Sequence, residues 1–437
     1  MGFLAERREP RRRFRAWARR AGRLTVLALA ALLALWIGIH RTTWLGPALA
    51  EGARALLGPG PVAWVEDVAY GIDDWYNRWR YGDRPPESFW KVPSSRPPAG
   101  PRPAAARAQP EAGPAAPVPD AAPGAAPFAP RPFVPPFSEV ATGADGIWVA
   151  VPDADDPAVP VAICKTVVHP DRRRSFAGLA VVAVDLRALD LHLVAGFEEP
   201  DSPRVPRVER QGLVSPEHRG DLVAAFNGGF RATHGHYGMM LGGKTFLPPR
   251  QWGCTLAKYG DGALELASWP ALQAGEPRMA FYRQMPPCLV EAGEIHKGLR
   301  YDEYAKGWGA TVSGDTIIRR SALGLDEARQ ILFYGLGEAM SAPAIALGMK
   351  AAGAHAVAEL DVNHAYPRFL FYGRREDGGG PRAVAALIPA IEFHPAQYVG
   401  QASPRDFFYL TRRRQQAARR PGQGPPQRIA TRAGSPG

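Results

Sequence analysis

The chain has 437 residues, 46% of them apolar, and a formal charge of +11, so it has room for two domains and a substantial core. The charge lies at the ends: residues 1–41 carry ten Arg against two Glu and residues 412–437 carry seven Arg and no acid, leaving −4 for the middle. A mildly acidic middle excludes the folded part as a nucleic-acid binder, and three cysteines without a Cys-x-x-Cys spacing exclude a disulfide framework or a zinc finger.

Residues 1–23 form a basic cytoplasmic segment, and Leu24 to Ile39 is an unbroken apolar run of sixteen. Residues 24–40 are expected to form a transmembrane signal anchor, a little short of the roughly 20 residues that span a bilayer. Trp36 and Trp44 suit the interface, and the arginines ahead of the run predict export of everything after it. Cleavage near Ala48-Leu49-Ala50 is the competing expectation. Residues 41–90, rich in Trp and Tyr, suit a helical juxtamembrane region that packs on a bilayer or on the following domain, with a glycan contact as the alternative. Residues 91–137 hold fifteen prolines among alanines, a semi-extended linker unable to build a core.

From Gly146 the pattern turns to strands: Ile147 to Val151, Ile163 to His169, Leu179 to Asp185, Leu191 to Phe197 and Leu222 to Phe226. Hairpins are expected over 237–249, turning at Gly242-Gly243, over 254–269, turning at Gly260-Asp261-Gly262, and over 312–318, turning at Gly314-Asp315. Ile331 to Tyr334 reads as a buried strand closed by Gly335 and Gly337. Met340, Ala344, Leu347 and Ala351 then recur at helical spacing between Glu338 and Ala352, and Ala356 to Leu360 is a second buried strand. With Ala383 to Ile391 and Phe407 to Leu410 as closing pieces, 138–410 is one α+β domain, a mixed sheet with packed helices. The tail 411–437 is expected to be disordered. Buried free thiols are favoured for Cys164, Cys254 and Cys288, with one bridge and one free thiol left open.

Four groups of residues have the chemistry for a site. Asn227-Gly228-Gly229-Phe230 ends a strand with two glycines that let amides turn towards a ligand, although Asn-Gly is also the commonest hairpin turn. Arg319-Arg320-Ser321-Ala322-Leu323-Gly324 offers a planar fork for phosphate. Glu359, Asp361 and Asn363 share one face of an extended backbone, with His364 beside them. A carboxylate there suits a base, a nucleophile or a ligand-holding acceptor, while Glu359 equally suits a buried partner for an Arg. His234 and His236 would line a cleft. Joined with His364 and Asp361 they form a mixed metal set of undiagnostic spacing, so no cofactor is expected.

In this order the pieces resemble the phosphodiester glycosidase family. In that family an Asn-Gly-Gly-Phe strand end is followed by a Gly-containing hairpin, an Arg-Thr-Ala-Ile-Gly-like segment, a hydrophobic strand, a helix ending in Leu-Gly-Ala and a Leu-Asp-Gly-Gly-Gly-Ser-like loop. The matches here are Asn227 to Phe230, Gly242-Gly243, Arg320 to Gly324, Ile331 to Tyr334, Ala351-Ala352-Gly353-Ala354 and Leu360-Asp361, within roughly 146–393. The glycine loop is replaced by Val362-Asn363-His364-Ala365-Tyr366. The resemblance implies hydrolysis of a sugar 1-phosphodiester in an envelope glycan or glycolipid, with the domain tethered through 24–40 and exported. Asp361, Asn227 and His364 would be catalytic. Gly228, Gly229, Arg320, His234, His236, Asn363 and Glu359 would bind substrate. Loss of the glycine loop leaves an inactive binding module of the same fold as the alternative.

Overall fold

The computed structural model describes residues 58–82, 84–92, 128–300, 307–309, 316–374 and 379–413, with scattered positions between 22 and 57. Most of the basic segment, the bulk of the linker, the turn at Gly314-Asp315 and the tail beyond 413 lie outside the described residues. Among the described residues no helix is long and apolar enough to cross a membrane. The transmembrane helix expected over 24–40 is therefore not supported; most of that stretch is itself outside the description.

The expected α+β fold with a mixed sheet is also corrected. Among the described residues the chain is mostly β, with one eight-stranded and two five-stranded sheets, and every pairing of named strands is antiparallel. The first sheet has Leu179–Asp185, Ile331–Met340, Ile318–Leu325 and Ala356–Glu359 as adjacent strands at its centre. The strand–helix–strand pattern after Ile331 was part of the expected mixed sheet. The helix Ala342–Ala351 instead carries the chain across Ile318–Leu325, which lies between the two strands and pairs antiparallel with both.

Gly335 and Gly337, read from the sequence as the end of a strand, are inside one. A Cβ on Gly335 would lie 2.5 Å from Met349 Sδ, so the glycine lets the helix pack close against the sheet. The helix begins four residues later than its periodicity suggests because Glu338 to Met340 remain in the strand. Ser341 caps it by accepting from Ala344 N at 3.2 Å. Both other expected hairpins are present: Gly242 and Gly243 take φ +57° and +77° between Met239–Leu241 and Lys244–Leu247, as a tight two-residue turn requires.

All three sheets feed one apolar core. Phe226 stacks on Phe369 and Phe408 at 5.6 and 5.4 Å in the third sheet, and Tyr334 of the first sheet meets Phe226 at 5.0 Å. Burying each such side chain stabilises by roughly 1.5–3 kcal/mol, and this contact fixes how the first and third sheets face each other. Their shared end carries the site. Cys254 and Cys288 form a disulfide and only Cys164 is a buried free thiol, so the favoured expectation of three free thiols is corrected.

Candidate functional site

The Asn-Gly-Gly strand end and the Leu-Asp-Val-Asn-His corner meet. Asp361 N donates to Gly228 O at 3.1 Å, and Leu360 N donates to Ser321 O at 2.8 Å. The Ser321 hydroxyl donates to Asp361 O at 3.1 Å and accepts from Asn227 Nδ2 at 2.9 Å. Asn227 Oδ1 accepts from the Tyr334 hydroxyl at 2.8 Å and from Arg368 N at 3.3 Å. A buried amide needs partners for both ends, and Asn227 has them from Ser321 and Tyr334 inside two strands of the first sheet and from Arg368 just before Phe369–Gly373. It ties the third sheet to the first, and Tyr334, held protonated by burial, locks its orientation.

The glycine amides do not turn towards a ligand. Gly228 N donates to Asp406 O and Gly229 N to Asp406 Oδ2, both at 3.0 Å. Arg283 closes the arrangement: its Nε donates to Asp406 Oδ2 at 2.8 Å and its Nη2 to Phe230 O at 2.7 Å. Glycine is needed because a Cβ would fall 2.1 Å from Asp406 Oδ2 at Gly228 and 2.7 Å from Arg283 Cζ at Gly229. Neither Arg283 nor Asp406 was a sequence candidate. The available signal was the charged pair Arg405-Asp406 directly before the apolar strand Phe407–Arg412.

Arg320 is not a phosphate fork. With Glu359 it forms an ion pair in which both side chains are 0% exposed. Its remaining donors go to the carbonyls of Met340, Trp308 and Thr316. Of the two readings of Glu359, buried partner is the observed one. Burial pushes its carboxyl pKa up and Arg320 pulls it back down, and its Oε2 has no hydrogen-bond partner. Arg319 pairs with Glu338 at 2.8 Å and donates to His364 O at 2.6 Å. His364 itself is 67% exposed with Nε2 4.0 Å from Glu338, at the rim. His234 and His236 stand on an exposed loop, and His236 lines a cleft with Leu247 and Arg250. They are not brought to Asp361. Among the described residues no group of three or more His, Cys, Asp or Glu is placed to hold a metal.

Asp361 is buried, 2% exposed, next to the partly exposed loop 362–366. Its Oδ1 accepts from Asn363 N at 3.0 Å, and its Oδ2 is paired with Arg405 Nη1. The Arg405 guanidinium lies over the Tyr366 ring at 3.7 Å, a stacked cation geometry. Arg405 was also missed by sequence reading, because it follows Asp361 by more than forty positions and sits in a turn without periodicity. Both signs of charge surround Tyr366: burial raises its phenol, Arg231 lowers it, Glu198 and Tyr398 raise it and Arg368 lowers it, for a net rise. Arg231 lies 3.6 Å from Glu199. Arg368 donates to the neutral acceptors Gln397 Oε1, at 2.9 Å, and Ala365 O, while its buried Nε has no partner. The arrangement combines one buried carboxylate, held by an arginine beside a partly exposed loop, with a second arginine whose acceptors are uncharged. That can hold an anion beside a carboxylate.

No protein-family model matches this chain, and no curated protein matches it. Among solved structures it is similar to the catalytic domain of zebrafish N-acetylglucosamine-1-phosphodiester alpha-N-acetylglucosaminidase, auto-inhibited by its pro-peptide. That likeness has 17% identity over 61% of this chain and 88% of the other, with a TM-score of 0.38. It is also similar to a hypothetical protein from Synechocystis, at 10% identity over 58% and 62% of the two chains and a TM-score of 0.33. A putative exported protein from Burkholderia pseudomallei follows at 12% identity over 54% and 74%, with a TM-score of 0.28. These likenesses are structural and distant.

Proposed function

We propose that the region 128–413 is a hydrolase of sugar 1-phosphodiester bonds that acts on an exported glycan or glycolipid. The observation that carries the reading is the meeting of the Asn227-Gly228 strand end with Asp361, which Arg405 holds beside the partly exposed loop 362–366. The Cys254–Cys288 disulfide supports an oxidising compartment.

In this reaction the C1–O bond of the sugar breaks, the phosphate leaves with the electron pair as a monoester, and water adds at C1. Phosphate leaves readily, so most of the stabilisation is owed to the groups facing its negative charge. Arg368 and Arg405 replace Arg320 in that role. Asp361 faces the positive charge that develops on the sugar ring and takes the proton of the attacking water. Asn227 and Ser321 act behind it by fixing the backbone that carries Asp361.

A second reading is favoured by one observation: both oxygens of Asp361 are already engaged, as suits a binding module that has lost turnover together with the glycine loop. One experiment separates the two. The full chain and its Asp361→Asn variant are incubated with a panel of chromogenic sugar 1-phosphodiesters. The hydrolase reading expects turnover that falls by roughly 10²–10⁴-fold in the variant. Turnover untouched by the substitution removes Asp361 from the chemistry, and binding without turnover across the panel establishes the module.

A further inference from the structure

The helix Pro59–Tyr81 is amphipathic in an unusual direction. One side docks on the β domain. Asp74 accepts from Arg174 Nε at 2.6 Å and from Nη2 at 3.0 Å, Ser175 Oγ donates to Gly82 O at 2.8 Å, and Tyr81 meets Phe176 at 5.8 Å. The other side carries Val65, Val68, Ile72, Trp75 and Trp79, which are 42% to 72% exposed. Soluble chains rarely leave so large a contiguous apolar face uncovered unless something binds it.

The spacing of that face identifies its partner. The steps from 65 to 68, 72, 75 and 79 alternate three and four, the seam of a two-helix coiled coil, flanked by the exposed Trp64 and Tyr76. We infer that this helix pairs antiparallel with the same helix of a second copy of the chain, about a two-fold axis at Ile72. Side-chain size decides the orientation. The first half of the seam holds Val65 and Val68 and the second half Trp75 and Trp79, so antiparallel pairing about Ile72 sets Trp79 opposite Val65 and Trp75 one residue from Val68, with Ile72 against itself. Parallel pairing would stack tryptophan on tryptophan.

Charge takes no side in this choice: Asp67 accepts from Thr316 Oγ1 of the β domain at 3.4 Å, and Arg78 pairs with Asp74 of its own helix at 3.0 Å. An isologous contact of this kind is self-complementary by construction. Large aromatics bring 150–250 Å² each, so the exposed face amounts to on the order of 700 Å² per copy. Stable interfaces bury about 800 Å² per partner. A lipid surface fits less well, because interfacial helices carry a basic polar face and the residues here include Glu66, Asp67, Asp73 and Asp74 against two arginines.

Sedimentation of the full chain tests the pairing, with Ile72→Glu as the variant because the axis places it in the contact twice. The expected result is a wild-type dimer and a monomeric variant with unchanged circular dichroism and melting temperature. Orientation is read by mild oxidation. Cys164 is buried and Cys254 and Cys288 are bonded, so an introduced thiol reports alone. The Val65→Cys, Trp79→Cys double variant is expected to cross-link between copies and Val65→Cys alone is not. A wild-type monomer, a dimer that survives Ile72→Glu, or a cross-link through Val65→Cys alone would each overturn the inference. So would a monomer that binds phosphatidylcholine vesicles only when Ile72 is intact.

Discussion

Glu359 ends a strand of the first sheet and Asp361 lies two residues beyond it, and each carboxylate meets an arginine, yet the two pairs differ in kind. Arg320 and Glu359 are sealed, and the arginine spends its other donors on three backbone carbonyls. Arg405 and Asp361 are nearly as buried, 5% and 3% exposed, but the arginine is laid on an aromatic ring and the pair adjoins the partly exposed loop 362–366. A sealed pair can only hold strands together, because no substrate reaches it. A pair beside such a loop can exchange one partner for a ligand, which is what a binding or catalytic carboxylate must do. The two-residue period of an extended chain puts both acids on one face, one sealed within the sheet and the other next to the partly exposed loop 362–366.

Arg320→Ala should break this comparison most visibly. It leaves Glu359 buried without its partner, and removing one member of a buried pair costs roughly 3–5 kcal/mol. The expected outcome is a large drop in melting temperature and denaturation midpoint. A variant of near wild-type stability with selective loss of activity would return Arg320 to the substrate.

Much of this was legible in the sequence, and the failures have physical causes. Asn227-Gly228-Gly229 and Leu360-Asp361 were legible because strand ends with glycine or a polar run carry local chemistry that survives without tertiary context. What each residue does there was not. Asn227 binds strands rather than a ligand, and the glycines make room for Asp406 and Arg283, residues whose approach depends on how strands far apart in sequence come together. The same holds for Gly335, which looks like punctuation until the helix packed on it is seen. Period and composition report which residues are inside; they do not report which charged side chains find each other there, so Arg283, Arg405 and Asp406 were missed and Arg320 was given the wrong task.

Varying pH sharpens the contrast from outside the site. His192, on the outermost strand of the third sheet, is held down to about 4 by burial and by Lys258, against the opposing effect of Asp190, with His218 and Arg413 also lowering it. Its ring accepts or donates at Thr411 Oγ1, 2.9 Å away. Because the native pKa lies below the unfolded value near 6.5, the fold favours the neutral ring. That contribution is full above about 6.5 and is lost as pH falls towards about 4, on the order of 2–4 kcal/mol in total. Denaturant titrations between pH 7 and 4 should show this loss in the wild type, and His192→Gln should flatten it. An unchanged slope would place the acid sensitivity elsewhere.

The smallest expected effect tests the rim. The two-thirds exposed ring of His364 sits 4.0 Å from Glu338. Its backbone carbonyl, not its ring, is what Arg319 uses, and that contact survives any substitution that keeps the loop. His364→Ala should therefore change stability by no more than about 0.5 kcal/mol. It should also leave kcat of any sugar 1-phosphodiester hydrolysis nearly unchanged, with at most a modest rise in KM. If kcat instead falls as far as it does in Asp361→Asn, and its pH profile loses a limb near neutrality, the ring acts as the base. Reaction would then have to be preceded by a movement of 363–366 that brings His364 in over Asp361.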